Sequence, residues 1–206
     1  NDGKASNAGH VRVYQYKTVT KNEWDNKNIV KGDDIKYDIN KEYWIQLGSD
    51  IDGGAANDLR GHSVSLSSNG KTVAIGATDG GDSAGINSGS VYVYQYNGTN
   101  WSQLGSDIDG EYAGDFSGYS VSLNSDGTIV AIGSRKNDDG PGSDSGHIRV
   151  YQYDPTKKTA KIDQSSNDFG PIGWRRLGED IDGEASKDES GWSVSLSSDG
   201  YRVAIG

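Results

Sequence analysis

The sequence predicts an all-β fold: a β-propeller built of four-stranded antiparallel blades, with three blade equivalents in the chain. Three observations predict it. One pattern occurs three times, as GHSVSLSSNGKTVAIG (Gly61–Gly76), GYSVSLNSDGTIVAIG (Gly118–Gly133) and GWSVSLSSDGYRVAIG (Gly191–Gly206). Each copy alternates small polar and apolar residues, turns at Asn-Gly or Asp-Gly and resumes as an apolar run, which is the sequence sign of a β-hairpin. Two further strand patterns recur in register with each hairpin, and repeated four-stranded units of this length are propeller blades rather than coils of a β-helix or halves of a sandwich.

Within a unit the first strand is Ser-Val-Ser-Leu, small enough for the crowded axis of a ring. The second is Val-Ala-Ile-Gly. The third appears as GHVRVYQY (Gly9–Tyr16), GSVYVYQY (Gly89–Tyr96) and GHIRVYQY (Gly146–Tyr153), alternating as a half-buried strand does. The fourth runs from a tryptophan through Leu-Gly to an Asp-Ile-Asp-Gly turn: Trp44–Gly53, Trp101–Gly110 and Trp174–Gly183. The connector between third and fourth strands is Asn97–Asn100 in the middle unit but expands to Lys17–Tyr43 in the first and Asp154–Gly173 in the last. Insertions at one point of a repeat map to loops on one face, here expected as solvated, mixed-charge loops carrying Lys17, Lys21, Lys157 and Lys161.

The expected organisation is a single repeat region, 1–206: a partial blade over 9–60, blades over 61–117 and 118–190, and a partial blade over 191–206. The chain opens on third and fourth strands and closes on first and second, so its two ends are complementary halves. A closed propeller needs about four blades or more. The expectation is that a second copy or further sequence completes the ring.

Composition narrows the function. The 206 residues include 30 glycines, 3 prolines and no cysteine, and the formal net charge is -10. That charge opposes binding to nucleic acid, whose phosphates need a basic surface. Without cysteine there is no disulfide, thiol nucleophile or usual zinc site. No apolar run approaches the roughly 20 residues of a membrane helix. At 32% hydrophobic residues the chain is poor in core material, which a repeat fold tolerates because units bury their apolar faces against one another.

With the strands placed, the repeat resembles the FG-GAP repeat of integrin-alpha-type β-propellers. The aromatic-glycine opening of that motif compares with Gly61-His62-Ser63-Val64, Gly118-Tyr119-Ser120-Val121 and Gly191-Trp192-Ser193-Val194, and its Gly-x-Val-Tyr-Val-Tyr strand with Gly89–Tyr94. The resemblance implies an extracellular or surface-associated module that binds or assembles. The family's calcium loop between first and second strands is shortened here to Ser68-Asn69-Gly70, Ser125-Asp126-Gly127 and Ser198-Asp199-Gly200. One acidic residue does not supply calcium's several oxygen ligands, so that site is not carried over.

Acidic residues gather instead in the loop from second to third strand, and Asp79, Asp82, Asp138, Asp139 and Asp144 are the calcium candidates. The connector from fourth to first strand adds Asp50, Asp52 and Asp58 and their repeats on the same face. Aspartate also forms turns by bonding its own backbone, and the recurrence of Asp-Ile-Asp-Gly with its glycine is what a structural turn would show. His10, His62 and His147 vary between repeats and read as packing or surface residues. No GxSxG elbow exposes a serine nucleophile.

The leading reading is a non-enzymatic, calcium-assisted binding or assembly module with a protein or glycan partner and self-association through open blade edges. The alternatives are a carbohydrate-active hydrolase or lyase with paired carboxylates on the acidic face, and a purely structural oligomer.

Overall fold

The computed structural model describes residues 5–26, 37–79, 84–138, 140–161 and 169–206. Two complete units form equivalent antiparallel sheets. In the first, β5 (Ser63–Leu66), β6 (Thr72–Ala77), β7 (Ser90–Tyr96) and β8 (Trp101–Gln103) lie side by side in that order, and β9 (Ile108–Asp109) also pairs with β7. The second repeats this with β10 (Ser117–Leu123), β11 (Ile129–Ser134), β12 (His147–Tyr153), β13 (Trp174–Arg176) and β14 (Ile181–Asp182). The expected fourth strand is therefore two short pieces on one partner. Between them the chain turns at Gly105 and Gly178, whose φ angles are +66° and +75°.

The two ends supply the expected halves. At the start, β1 (His10–Val11) pairs with β4 (Ile51–Asp52) and β2 (Tyr14–Thr18) with β3 (Glu42–Gln46), which are third and fourth strands. At the close, β15 (Val194–Leu196) pairs with β16 (Val203–Ile205), which are first and second. The fold is all-β with propeller-type blades and is not a closed barrel. Among the described residues no helix is long and apolar enough to cross a membrane.

The core lies between sheets. Ala74, Val91, Val93 and Ile108 of one unit pack with Val121, Leu123, Val130, Ile132, Tyr151 and Trp174 of the next. A second cluster joins Val11, Val13 and Ile51 to Val73 and Ile75. Each such side chain, fully buried, contributes about 1.5–3 kcal/mol, so these two clusters hold neighbouring units together.

The inner strand's small residues have a specific use. Ser65 Oγ accepts the Leu123 N–H and Ser122 Oγ accepts the Leu196 N–H, both at 2.9 Å. Ser63 and Ser120 donate to the carbonyls of Gly118 and Gly191 at 2.7 and 2.8 Å. The glycine ending Val-Ala-Ile-Gly admits this approach, since a Cβ on Gly76 would stand 2.0 Å from the Gly118 carbonyl oxygen. Farther out, the Trp101 and Trp174 indoles donate to the Leu47 and Leu104 carbonyls of the preceding unit at 2.7 and 3.1 Å. The repeated residues are thus the joints between blades.

The described residues of the long connectors are in part packed rather than solvated. The first contains α1 (Lys21–Asn26), opened by a reciprocal cap in which Thr20 N–H donates to Glu23 and Glu23 N–H donates to Thr20 Oγ1. Its Trp24 packs with Val19, Tyr43 and Ile45 in a small core of its own. In the last connector, Lys161 pairs with Gly170, and the Phe169 carbonyl accepts the Arg176 N–H at 2.9 Å. Phe169 thereby lies beside β13, the outer strand of its blade.

Candidate functional site

The loops expected to be acidic are locked to each other by backbone. In each unit the end of the second-to-third-strand loop and the fourth-to-first connector run parallel and exchange hydrogen bonds: Asn57 N to Ser6 O and Arg60 N to Ala8 O, Phe116 N to Asn87 O and Ser117 N to Ser88 O, Glu189 N to Asp144 O and Ser190 N to Ser145 O. The pairing demands left-handed residues at fixed places, and Asn7, Asn87 and Asp144 fill one of them with φ of 55°, 59° and 54°. Asparagine and aspartate tolerate that conformation better than other non-glycine residues.

The aspartates divide accordingly. Asp58, Asp115 and Asp188 each accept backbone N–H groups of their own connector, from Gly54, Tyr112 and Ala185 respectively, and the first two are buried. They hold turns. Of the calcium candidates, Asp138 and Asp144 are brought together, with the Asp144 N–H donating to Asp138 Oδ1 at 2.7 Å, while Asp79 accepts from Thr78 in the preceding unit. Asp82 and Asp139 lie outside the described residues. Among the described residues, Asp79, Asp138 and Asp144 do not join a group of three acidic or histidine ligand atoms.

The same face carries a row of rings that the sequence reading dismissed. His62, Tyr119 and Trp192 follow the glycine that opens each first strand. Their centroids lie 4.7 Å apart from His62 to Tyr119 and 5.1 Å from Tyr119 to Trp192, tilted by 49° and 56°, the spacing at which aromatic pairs attract. The Arg135 guanidinium sits 4.5 Å from the Tyr119 ring and 4.7 Å from Trp192, and its Nη1 pairs with Glu189 at 2.6 Å. Trp192 is 53% exposed. The residue type changes at every repeat while the position is kept, so a search for identical residues overlooks the row.

A second constellation lies between the two complete blades. Arg149 on β12 bonds Asp180 through Nε at 2.8 Å and through Nη2, and it reaches across to Glu111 of the preceding unit at 2.7 Å. Arg176 also bonds Asp180, at 2.9 Å, and both arginines stack on Phe169. Glu111, buried His147 and Asp180 offer ligand atoms within 4.8 Å of one another, but the Arg149 guanidinium already bonds both carboxylates and supplies the positive charge a metal would bring. Burial opposes the charge on Arg149, and its bonds to Asp180 and Glu111 outweigh it, so the group is held above its ordinary range. Burial likewise opposes the Asp180 carboxylate, yet Arg149 keeps it below its ordinary range. An Asp180 so held stays ionised near neutrality and is unsuited to donate a proton as a glycosidase acid. Burial pushes the adjacent Tyr151 hydroxyl up to about 12.

Beside this cluster opens a cleft of about 420 Å³ lined by Asp107–Tyr112, Arg149, Tyr151, Ala160, Lys161 and Phe169–Pro171. One wall is the fourth strand and connector of one blade, and the other includes Ala160, Lys161 and Phe169–Pro171 of the next. Sequence spacing alone did not reveal it, because it depends on Lys161 pairing with Gly170 and on Phe169 lying beside β13.

No curated protein matches the chain. Residues 51–94 match the family model of the FG-GAP repeat. The matched stretch runs from β4 through β5 and β6 into β7, and Ile108–Tyr151 repeats the same succession. Over residues 51–94 the chain therefore carries the FG-GAP repeat that its glycine-aromatic opening and Val-Tyr-Val-Tyr strand resemble.

Proposed function

We propose that the chain is a non-enzymatic binding module of an extracellular or cell-surface protein, and that its partner docks on the face bearing His62, Tyr119 and Trp192. The observation that carries this reading is the row itself: three rings, one per repeat, held at stacking distance on a backbone-locked loop face. Rigid scaffolds present binding residues in this way, and exposed aromatic rings supply large contact area at low entropic cost. The FG-GAP repeat supports a binding role, and the salt-bridged state of Asp180 and Glu111 weighs against the hydrolase or lyase reading.

Calcium enters the proposal at Asp138 and Asp144, where two carboxylates share one loop. The test is a titration of the chain with arrayed glycans and with acidic and basic peptides, with and without millimolar calcium and with release of sugar ends followed in parallel. The expected result is saturable binding that Trp192→Ala weakens at least tenfold, without product release. Binding unaffected by Trp192→Ala and Tyr119→Ala would refute the docking face, turnover would make the module an enzyme, and equal binding with and without calcium would remove the ion.

Assembly is the second part of the proposal. β15 and β16 are first and second strands, β1 to β4 are third and fourth, and pairing β16 of one copy with β1 and β2 of another would reproduce the β6–β7 and β11–β12 ladders. Edge strands with unpaired backbone groups favour such contacts.

A further inference from the structure

We propose that the cleft between the two complete blades is a saccharide site for an uncharged sugar, a deeper claim that rests on the chain being a binding module but uses a different surface from the aromatic row. In a repeat protein, residues common to all units serve the joints, so the residues that depart from the repeat show where one unit does something more. The cleft joins the Asp107–Gly110 turn, which every unit repeats, to residues that depart from the repeat. Tyr112 stands where the other units have Ala55 and Ala185, and it is 56% exposed at the rim. Lys161, Phe169 and Pro171 belong to an insert that the middle unit replaces with the tight turn Asn97–Asn100. At the preceding junction, Arg60 lies 3.7 Å over the Tyr92 ring and donates to the Asp52 carbonyl and the Tyr94 hydroxyl. Its repeat equivalent is Ser117, which lines a small void that shares Arg149 and Tyr151 with the cleft lining.

The chemistry of the lining selects the ligand class. A volume of about 420 Å³ is within the range of small-molecule sites. Carboxylates of Asp107 and Asp109, the Lys161 ammonium and the Tyr151 phenol provide acceptors and donors on different walls, as a polyhydroxylated ring requires, because each sugar hydroxyl both donates and accepts. Tyr112, Phe169, Pro171 and Ile108 provide apolar faces for the sugar's C–H surfaces. Arg149 is ion-paired with Glu111 and Asp180, and Asp109 accepts the Ser90 hydroxyl at 2.9 Å while keeping its negative charge. Asp107 and Asp109 repel anionic sugars, while Lys161 opposes a cationic guest, leaving a neutral saccharide as the best match.

The test is a glycan array of neutral, anionic and amino sugars, followed by calorimetric titration of the best neutral mono- or disaccharide into the full 206-residue chain and into Tyr112→Ala, Asp107→Asn and Trp192→Ala. Expected is millimolar or tighter binding of a neutral sugar, weakened at least tenfold by Tyr112→Ala and by Asp107→Asn and unchanged by Trp192→Ala. Both substituted positions are at least partly exposed, and unchanged circular dichroism and melting confirm that the variants fold. Absence of any neutral hit, a preference for anionic sugars or basic peptides, or equal binding by Tyr112→Ala overturns the site. Loss confined to Trp192→Ala would instead place the sugar on the aromatic row, so this inference and the docking face fail separately.

Discussion

Ser122 illustrates what one residue does in this fold. Its hydroxyl accepts the Leu196 N–H of the neighbouring unit, a bond that the main chains do not make for themselves at that point. Removing the oxygen leaves a partly buried donor unsatisfied, at a cost of about 1–3 kcal/mol. Ser122→Ala is expected to lower the urea midpoint by the equivalent amount, while Ser186→Ala, in an exposed loop, changes it little. Residues of this kind were legible in the sequence, since Ser65, Ser122 and Ser195 repeat at one position. The aromatic row was not, because His62, Tyr119 and Trp192 share geometry and differ in identity. The calcium candidates sit between these cases: the carboxylates were easy to find, but the left-handed backbone at Asp144 and the turn-capping bonds of Asp58, Asp115 and Asp188 appear only once the loops are paired.

At the scale of elements, the four-strand unit was legible because alternation and Asn/Asp-Gly turns act locally. The break in the fourth strand was signalled by the Leu-Gly pair but depends on where the chain finds its left-handed turn. The helix α1 had a sequence signal, the Thr20-Lys21-Asn22-Glu23 capping box, yet six residues are too few to be helical alone. It is held by Trp24 against Tyr37 and Tyr43, at ring distances of 5.7 and 5.0 Å. The cap titrates. Hydrogen bonds from Lys17 and then from Thr20 hold the Glu23 carboxylate down at about 2, against 4.5 ordinarily. A lowered folded value means that its stabilising contribution is fully present above pH 4.5 and is lost as the pH falls towards 2. The Trp24 indole resonance is therefore expected to hold its native position from neutrality down to pH 4.5 and to move towards the random-coil position as the pH falls from there towards 2, with Glu23→Gln abolishing the acid transition.

The molecule as a whole is a set of units whose cores lie between them, so its stability is mainly a sum of nearest-neighbour joints. Trp174 shows the consequence. It is fully buried against the preceding unit, whereas its equivalent Trp44, packed on Tyr16 at a ring distance of 5.2 Å, is 52% exposed. If two copies complete one another, sedimentation velocity should give a concentration-dependent species larger than 22.0 kDa, and a charged substitution on β16 such as Ala204→Lys should return it to monomer. A monomer at every concentration would remove the assembly part of the proposal. The architecture was legible at this scale, and the cleft between the complete blades was not, because it also depends on where Lys161 and Phe169–Pro171 come to lie.

The central claim is a division of labour: residues common to the repeats hold the blades together, and residues that differ between repeats bind the partner. The most direct test is a paired scan in which each variant is measured for both urea stability and binding on the glycan and peptide arrays. The account predicts that Ser122→Ala and Trp174→Phe lose stability in proportion to the lost hydrogen bond and keep affinity, whereas Trp192→Ala and Tyr112→Ala lose at least tenfold in binding at a stability cost of about 1 kcal/mol or less. Binding that survives both ring substitutions, or that falls only where stability falls, would contradict it.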